Sequence, residues 1–389
     1  MSAKAFVASN VEPRLEQELE ALEKKGRQRS LQLSDGIDFT SNDYLGLTKN
    51  SDLKKHLLNA LSRENMLLGS GGSRLLRGNH VYHEQAEADF AAFSGSEASL
   101  FFTSGYAANM AVLTAIPTRH DLIVFDSLVH ASIREGIHAS LAAKKSFQHN
   151  SLETLESSIK TATGVGAIYV VVESLYSMDG DESPLHDLAE LCTAYGASLI
   201  VDEAHAAGLL GTHGSGLIDE AGIRDEVFIS VYPCGKALAS AGAFVCSSPI
   251  VKEYLINRAR TMIFTTALPP LIPFQLSFTL KLIQERRDLR EQVFKNAAIV
   301  RSSLQEHLNR WHVLPGRSPI IPLIIGDEEE AIAVGKALQG RGLDVRPIRP
   351  PTVAEGSSRF RLTVNALHTH AELQLLTDSI IGLEGQFIS

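Results

Sequence analysis

Cysteine is scarce in this chain, and what there is has no pattern: Cys192, Cys234 and Cys246 are odd in number and show no paired metal-ligand spacing. That argues against a disulfide framework and for a reducing compartment, with the thiols serving as small core residues and no metal bound. A basic run is missing as well. With 36 lysines and arginines against 45 acidic residues, the formal charge is −9, so nothing matches the electrostatic footprint of a nucleic-acid binder. The N-terminal stretch MSAKAFVASNVEPRLEQELEALEKKGRQR soon turns charged and helical. It has neither the apolar core of a signal peptide nor the Arg-rich, acid-poor character of a transit segment, so a cytoplasmic protein with no membrane partner is expected. Internal repeats and low-complexity segments are absent too. What remains, 44% hydrophobic and 21% charged residues, is an ordinary globular balance in a chain long enough for about two packed domains.

Between about Ser94 and Ser248 the sequence alternates strand and helix patterns. The runs SLFF, LIVF, AIYVVVE, SLIVDE and VFISVY are short, apolar and rich in branched or aromatic residues, as strands covered on both faces should be. SPLHDLAELCTAYG lies between two of them, with Ser183 as N-cap, Pro184 in the first turn, apolar Leu185, Leu188 and Cys192, and Gly196 as the stop. This is a crossover, so the fold class is α/β with a mainly parallel sheet. From about Ser318 the rhythm changes: strand PIIPLIIG, helix DEEEAIAVGKALQGRG, strand LDVR, a Pro-rich loop, strand RFRLTV and helix AELQLLTDSIIGLE read as a smaller C-terminal α+β domain. Gln284 to Trp311 reads as a long connecting helix. The expected division is an N-terminal helix and arm over 1–45, a large domain over 46–283 and a small domain over 284–389.

In open parallel sheets ligands bind where strands end at their carboxyl edge. Asp202 follows LIV directly and His205 comes three residues on; Glu173 ends YVVV; His130 follows FDSLV. LFFTSGYAANM supplies a strand, a glycine turn and a helix start, so the amides near Gly105 and Tyr106 could bind a phosphate. The glycines of GSGGSRLLRGNH do not form a dinucleotide loop, because no buried strand precedes them and no strand-end acid follows at the required distance. They read as a loop over a site or a subunit contact.

VYPCGKALASAGAFVC carries a single charged side chain, Lys236. One reading is a solvated lysine at a loop mouth. The other is an amine whose charged form is disfavoured, which leaves it able to attack a carbonyl. A reactive lysine, a strand-end Asp, a phosphate-ready helix start and nearby histidines are the groups pyridoxal 5'-phosphate needs: an amine for its aldehyde, a carboxylate for its ring nitrogen, amides for its phosphate and a flat group on its face.

The motifs SNDYLGL (41–47), GSGGSR (69–74), SGYAAN (104–109), SMDGD (177–181), VDEAHAAG (201–208), GKAL (235–238), TTALPP (265–270) and IRPPTV (348–353) follow one another in this order. From about Asp38 to Leu383 the chain resembles the α-oxoamine synthases, fold-type-I pyridoxal-phosphate enzymes that join an amino acid to an acyl-CoA with loss of CO2. The resemblance implies that Lys236 carries the cofactor in a Schiff base, Asp202 pairs with the pyridinium nitrogen, His130 stacks on the ring and His205 lies by its phenolic oxygen. Glu173 belongs to the same cofactor edge. Gly105 and Tyr106 offer amides to the phosphate, with Ser177 near it, and Thr265 and Thr266 reach it from the other subunit of a homodimer. Arg349 and Arg361 are the implied substrate-carboxylate arginines, Asn42 lies at the substrate, and Thr352 lines the acyl end.

The substrates implied are L-alanine and pimeloyl-CoA, giving 8-amino-7-oxononanoate; the alternative is a sister reaction of serine or glycine with another acyl-CoA. A distal carboxylate on the acyl chain calls for a cation, and the cluster Arg27, Gln28, Arg29 is the available candidate. One departure stands out: Pro233 occupies the place where the family carries a phosphate-binding Thr or Ser, so phosphate binding is expected to be looser, or Ser230 or Tyr232 compensates, or the turn is built differently.

Overall fold

The computed structural model describes residues 11–62 and 66–387. The first ten residues of the expected N-terminal arm lie outside them. Strands β1 (Ala98–Phe102), β2 (Leu122–Asp126), β3 (Ala143–Phe147), β4 (Ile168–Glu173), β5 (Ser198–Asp202), β6 (Val227–Pro233) and β7 (Ala243–Ser247) form one sheet in the order β1, β7, β6, β5, β4, β2, β3. All neighbouring pairs are parallel except those made by β7, which runs against both β1 and β6. The central strands are apolar because helices cover both faces; Val170, Val171 and Val172 of β4 are buried together. β3 breaks that pattern. Its AKKSF sequence is exposed except at Phe147, since an edge strand gains from lysines that discourage further pairing, and those lysines hide it from a search for apolar runs.

The crossover from β4 to β5 is the helix Leu185–Tyr195, closed by Gly196 in the left-handed region at φ 63°. Ser183 lies outside it, its hydroxyl donating to the Glu173 carbonyl at 2.8 Å. The expected long helix runs Arg287–His307, after a break at Arg286 that separates it from Leu271–Glu285. Beyond it Pro347–Ile348, Ser358–Thr363, Ile320–Gly326 and His312–Val313 form a four-stranded antiparallel sheet. Ile37–Asp38 pairs in parallel with Leu343–Asp344, so the segment ahead of the large sheet docks on the C-terminal unit. This brings the N-terminal arm, the C-terminal sheet and the strand ends of the large sheet to one crevice. All three cysteines are free and buried. Among the described residues no helix is long and apolar enough to cross a membrane.

Candidate active site

β4 and β5 pair in register so that Glu173 stands directly beside Asp202. Both are buried, and two carboxylates side by side out of water cannot both ionise cheaply. Burial, reinforced by the charge of Asp202, pushes the Glu173 carboxyl up to about 8. Asp202 is satisfied differently: Oδ2 accepts from Asn109 Nδ2 at 2.8 Å and Oδ1 from the Ala204 amide at 2.9 Å.

His130 caps the helix Ala131–Ala139 and its own amide donates to Glu173 Oε1 at 2.6 Å. Its Nδ1 accepts the Ser132 amide at 3.2 Å and lies 2.8 Å from the Ser132 hydroxyl. The same hydroxyl accepts from Asn109 at 3.0 Å, so its proton is free to point at Nδ1. Nδ1 is thereby an acceptor, and the ring proton belongs on Nε2. Although His130 is exposed at its surface, partial desolvation of the ring lowers its pKa against the pull of Asp202, which favours the neutral form. One hydrogen-bonded chain thus runs from Asp202 through Asn109 and Ser132 to His130.

Lys236 sits in the turn between β6 and β7, which is tightened by bonds from the Ala239 amide to the Lys236 carbonyl and from the Ser240 amide to the Cys234 carbonyl. The side chain is half-buried. Burial lowers its ammonium to about 8 against the pull of Asp202 and Glu173, with Arg361 lowering it further. An ammonium lowered beside two carboxylates is what the reactive reading calls for. Burial also holds His205 well below the usual imidazole range, helped by the cations Lys236 and Arg361; its Nδ1 lies 2.6 Å from the Tyr44 hydroxyl. Arg361 closes the group, donating from Nη2 to Asn42 Oδ1 at 2.9 Å and to the Tyr44 hydroxyl at 3.2 Å, and from Nε to the Ser177 carbonyl.

The helix Gly105–Ala115 points its N-terminus at the same edge. Ser104 caps it, accepting the Ala107 amide at 3.1 Å, which leaves the Gly105 and Tyr106 amides without a carbonyl inside the helix. Gly105 packs on Pro233: a Cβ there would stand 2.7 Å from Pro233 Cγ and 2.9 Å from its Cβ. The residues fit pyridoxal phosphate. A lysine of lowered pKa, a buried carboxylate pair beside it, a neutral histidine and a helix start with open amides lie at one edge of the sheet, a concentration of ionisable groups that marks a functional site. Gly105→Ala is expected to displace Pro233 and with it the turn carrying Lys236, weakening phosphate retention about tenfold or more. Equilibrium dialysis of the cofactor against wild type checks this.

Residues 34–380 match the aminotransferase class I and II family. An 8-amino-7-oxononanoate synthase of Lysinibacillus sphaericus is 38% identical over 95% of this chain and 98% of its own length. A serine palmitoyltransferase from S. paucimobilis, solved with a bound pyridoxal-phosphate–myriocin adduct, superposes with a TM-score of 0.89 at 25% identity, covering 97% of this chain and 99% of its own. The 8-amino-7-oxononanoate synthase of Francisella tularensis does so at 0.77 and 30% identity, over 91% and 98%. This chain is an α-oxoamine synthase of the class I and II aminotransferase family. As such it is a pyridoxal-phosphate-dependent acyltransferase of fold type I.

Not every residue expected in the α-oxoamine synthase site lies in it. Thr352 and Ser177 line a cavity of about 800 Å³ beside His130. Arg349 is instead held by Glu328 Oε1 at 3.2 Å and the Gly26 carbonyl at 2.7 Å. Arg27 is paired to the same Glu328 at 2.9 Å, while Gln28 and Arg29 are exposed and do not line the cavity. Thr265, half-buried, lines a separate small cavity and Thr266 is exposed; their expected place is at the phosphate of the other subunit. Ser230 and Tyr232 do not compensate for Pro233: strand alternation turns both into the core, where Arg224 donates to the Ser230 hydroxyl at 2.8 Å. Two contributors were missed. Asn109 is a polar residue on the buried face of an otherwise apolar helix, and Tyr44 lies inside SNDYLGL; in each case a polar group among buried neighbours was the available signal.

Proposed function

We propose that this enzyme condenses L-alanine with pimeloyl-CoA, giving 8-amino-7-oxononanoate, CoA and CO2. The observation that carries the reading is Lys236 set against Asp202 and Glu173, in a chain 38% identical to a synthase of that name over 98% of the relative's length. When bound, pyridoxal phosphate supplies an aldehyde for the amino group and a protonated ring that draws electrons from the α-carbon. The side chains do the rest. Lys236 Nζ would hold the aldehyde and, when free of it, would take the α-proton, a task suited to an amine lowered to about 8. Asp202 keeps the proton on the ring nitrogen.

His130 would cover the ring face, and its Nε2 proton would donate to the thioester oxygen as negative charge gathers there. His205, neutral and tied to Tyr44, would lie by the phenolic oxygen. The Gly105 and Tyr106 amides and Ser177 hold the phosphate, joined by Thr265 and Thr266 of the partner subunit in a homodimer. Arg361 grips the alanine carboxylate through a planar fork aligned by Asn42, and Arg349 joins it on leaving Glu328. Thr352 borders the acyl chain. The large domain over 46–283 carries the cofactor, the arm over 1–45 and the small domain over 284–389 close the crevice, and the enzyme works in the cytoplasm.

The likeness to serine palmitoyltransferase keeps a sister reaction as the second reading. An acyl-CoA by amino-acid matrix scored by CoA release separates them. L-Alanine with pimeloyl-CoA is expected to give the highest kcat/KM; serine with a long acyl chain, or glycine with a short one, in that place would move the chain to a sister enzyme.

A further inference from the structure

The cavity beside His130 contains a charge with no counter-charge. Two arginines line it, Arg134 and Arg359. Arg359 is neutralised by Asp179 on the same wall, and its Nε donates to the Ser357 carbonyl at 3.1 Å. Arg134 lies one turn beyond His130 on the helix Ala131–Ala139, with its side chain reaching the solvent mouth. It donates from Nε to the Val129 carbonyl at 3.2 Å and from Nη2 to the Ser127 carbonyl. Those carbonyls orient the fork without cancelling its charge, and they leave other N–H donors unused. Among the described residues no carboxylate pairs with it; adjacent Glu135 points elsewhere on the helix, since neighbours in sequence do not face each other.

A pre-oriented guanidinium of this kind matches a phosphate or a carboxylate by paired N–H···O bonds. We infer that Arg134 binds an anionic oxygen of the acyl donor at the mouth of the cavity, anchoring the thioester while its carbonyl reaches His130. This rests on the acyl-thioester reading above. Such an oxygen has two sources, a phosphate of the thiol carrier or the distal carboxylate of the acyl chain, and the Arg27–Arg29 cluster does not line this cavity.

Steady-state kinetics of Arg134→Ala on four donors separate the sources: pimeloyl and octanoyl chains, each on CoA and on phosphate-free N-acetylcysteamine. Loss of one charge-assisted pair should raise KM about tenfold for both CoA esters alone if the phosphate is the source. The same rise would fall on both pimeloyl esters alone if it is the carboxylate. Arg134→Lys should recover part of the loss. Exchange of the alanine α-proton in D2O, without any thioester, should stay at the wild-type rate, which a displaced His130 helix would not allow. An equal change on all four donors, or none, overturns the inference. Wild-type protein that releases no CoA from pimeloyl-CoA with L-alanine but does so with another pair would refute the proposed substrates instead, and the accepted amino acid then serves in the same four arms.

Discussion

Lys236→Ala is expected to fold, to dimerise if the wild type does, and to lose essentially all turnover, because the group that holds the cofactor aldehyde and the base that takes the α-proton are one amine. Circular dichroism and light scattering report the first two outcomes, and CoA release the third; more than a trace of wild-type activity would show that the proton goes elsewhere. A finer test uses the cofactor-free protein. The ammonium is lowered to about 8 chiefly by burial, so its labelling by an amine-selective reagent should rise through pH 8, where surface lysines remain protonated and slow. Peptide mapping of the label against pH reads this directly. A midpoint above 10 at Lys236 would mean that the crevice is wetter than its geometry implies.

That lysine was ambiguous in the sequence for a physical reason. One charge in an apolar turn fits either a side chain reaching water or one held against carboxylates, and the deciding partners, Asp202 and Glu173, lie on β5 and β4, far away in sequence. The strand ends themselves were legible, because a polar residue closing an apolar run marks the sheet edge whatever its partners are. β3 was not, since its lysines answer to the edge position and not to the core. Pro233 looked like a loss when only its missing hydroxyl was considered. Its contact with Gly105 is a packing relation between a turn and a helix start more than a hundred residues apart, which no local pattern encodes. Arg349 is the opposite case: its motif is legible, but its contacts with Glu328 and the Gly26 carbonyl are visible only in three dimensions.

Asp202→Asn should separate charge from shape. The amide can still accept the Ala204 amide proton, and Asn109 can turn its carbonyl to meet the new amide nitrogen; since one Asn109 nitrogen serves both Asp202 and Ser132, Ser132 would then donate to Asn109, so the side chains stay linked with the proton order toward His130 reversed. What disappears is the negative charge opposite the ring nitrogen. Without it the ring loses its proton and draws electrons poorly, and removal of the α-proton from L-alanine is expected to slow by about a thousandfold, at the upper end of what one well-aimed electrostatic partner contributes. Exchange of that proton in D2O isolates the step from the acyl donor, and retained absorbance of bound cofactor shows that binding survives. The same substitution acts on two neighbours. The charge of Asp202 helps raise Glu173 and opposes the lowering of Lys236, so its removal should let Glu173 ionise at lower pH and bring the Lys236 labelling midpoint below 8. Near-normal exchange in the variant would overturn the role of Asp202, and an unmoved midpoint would mean that Glu173, newly ionised, has taken over its charge.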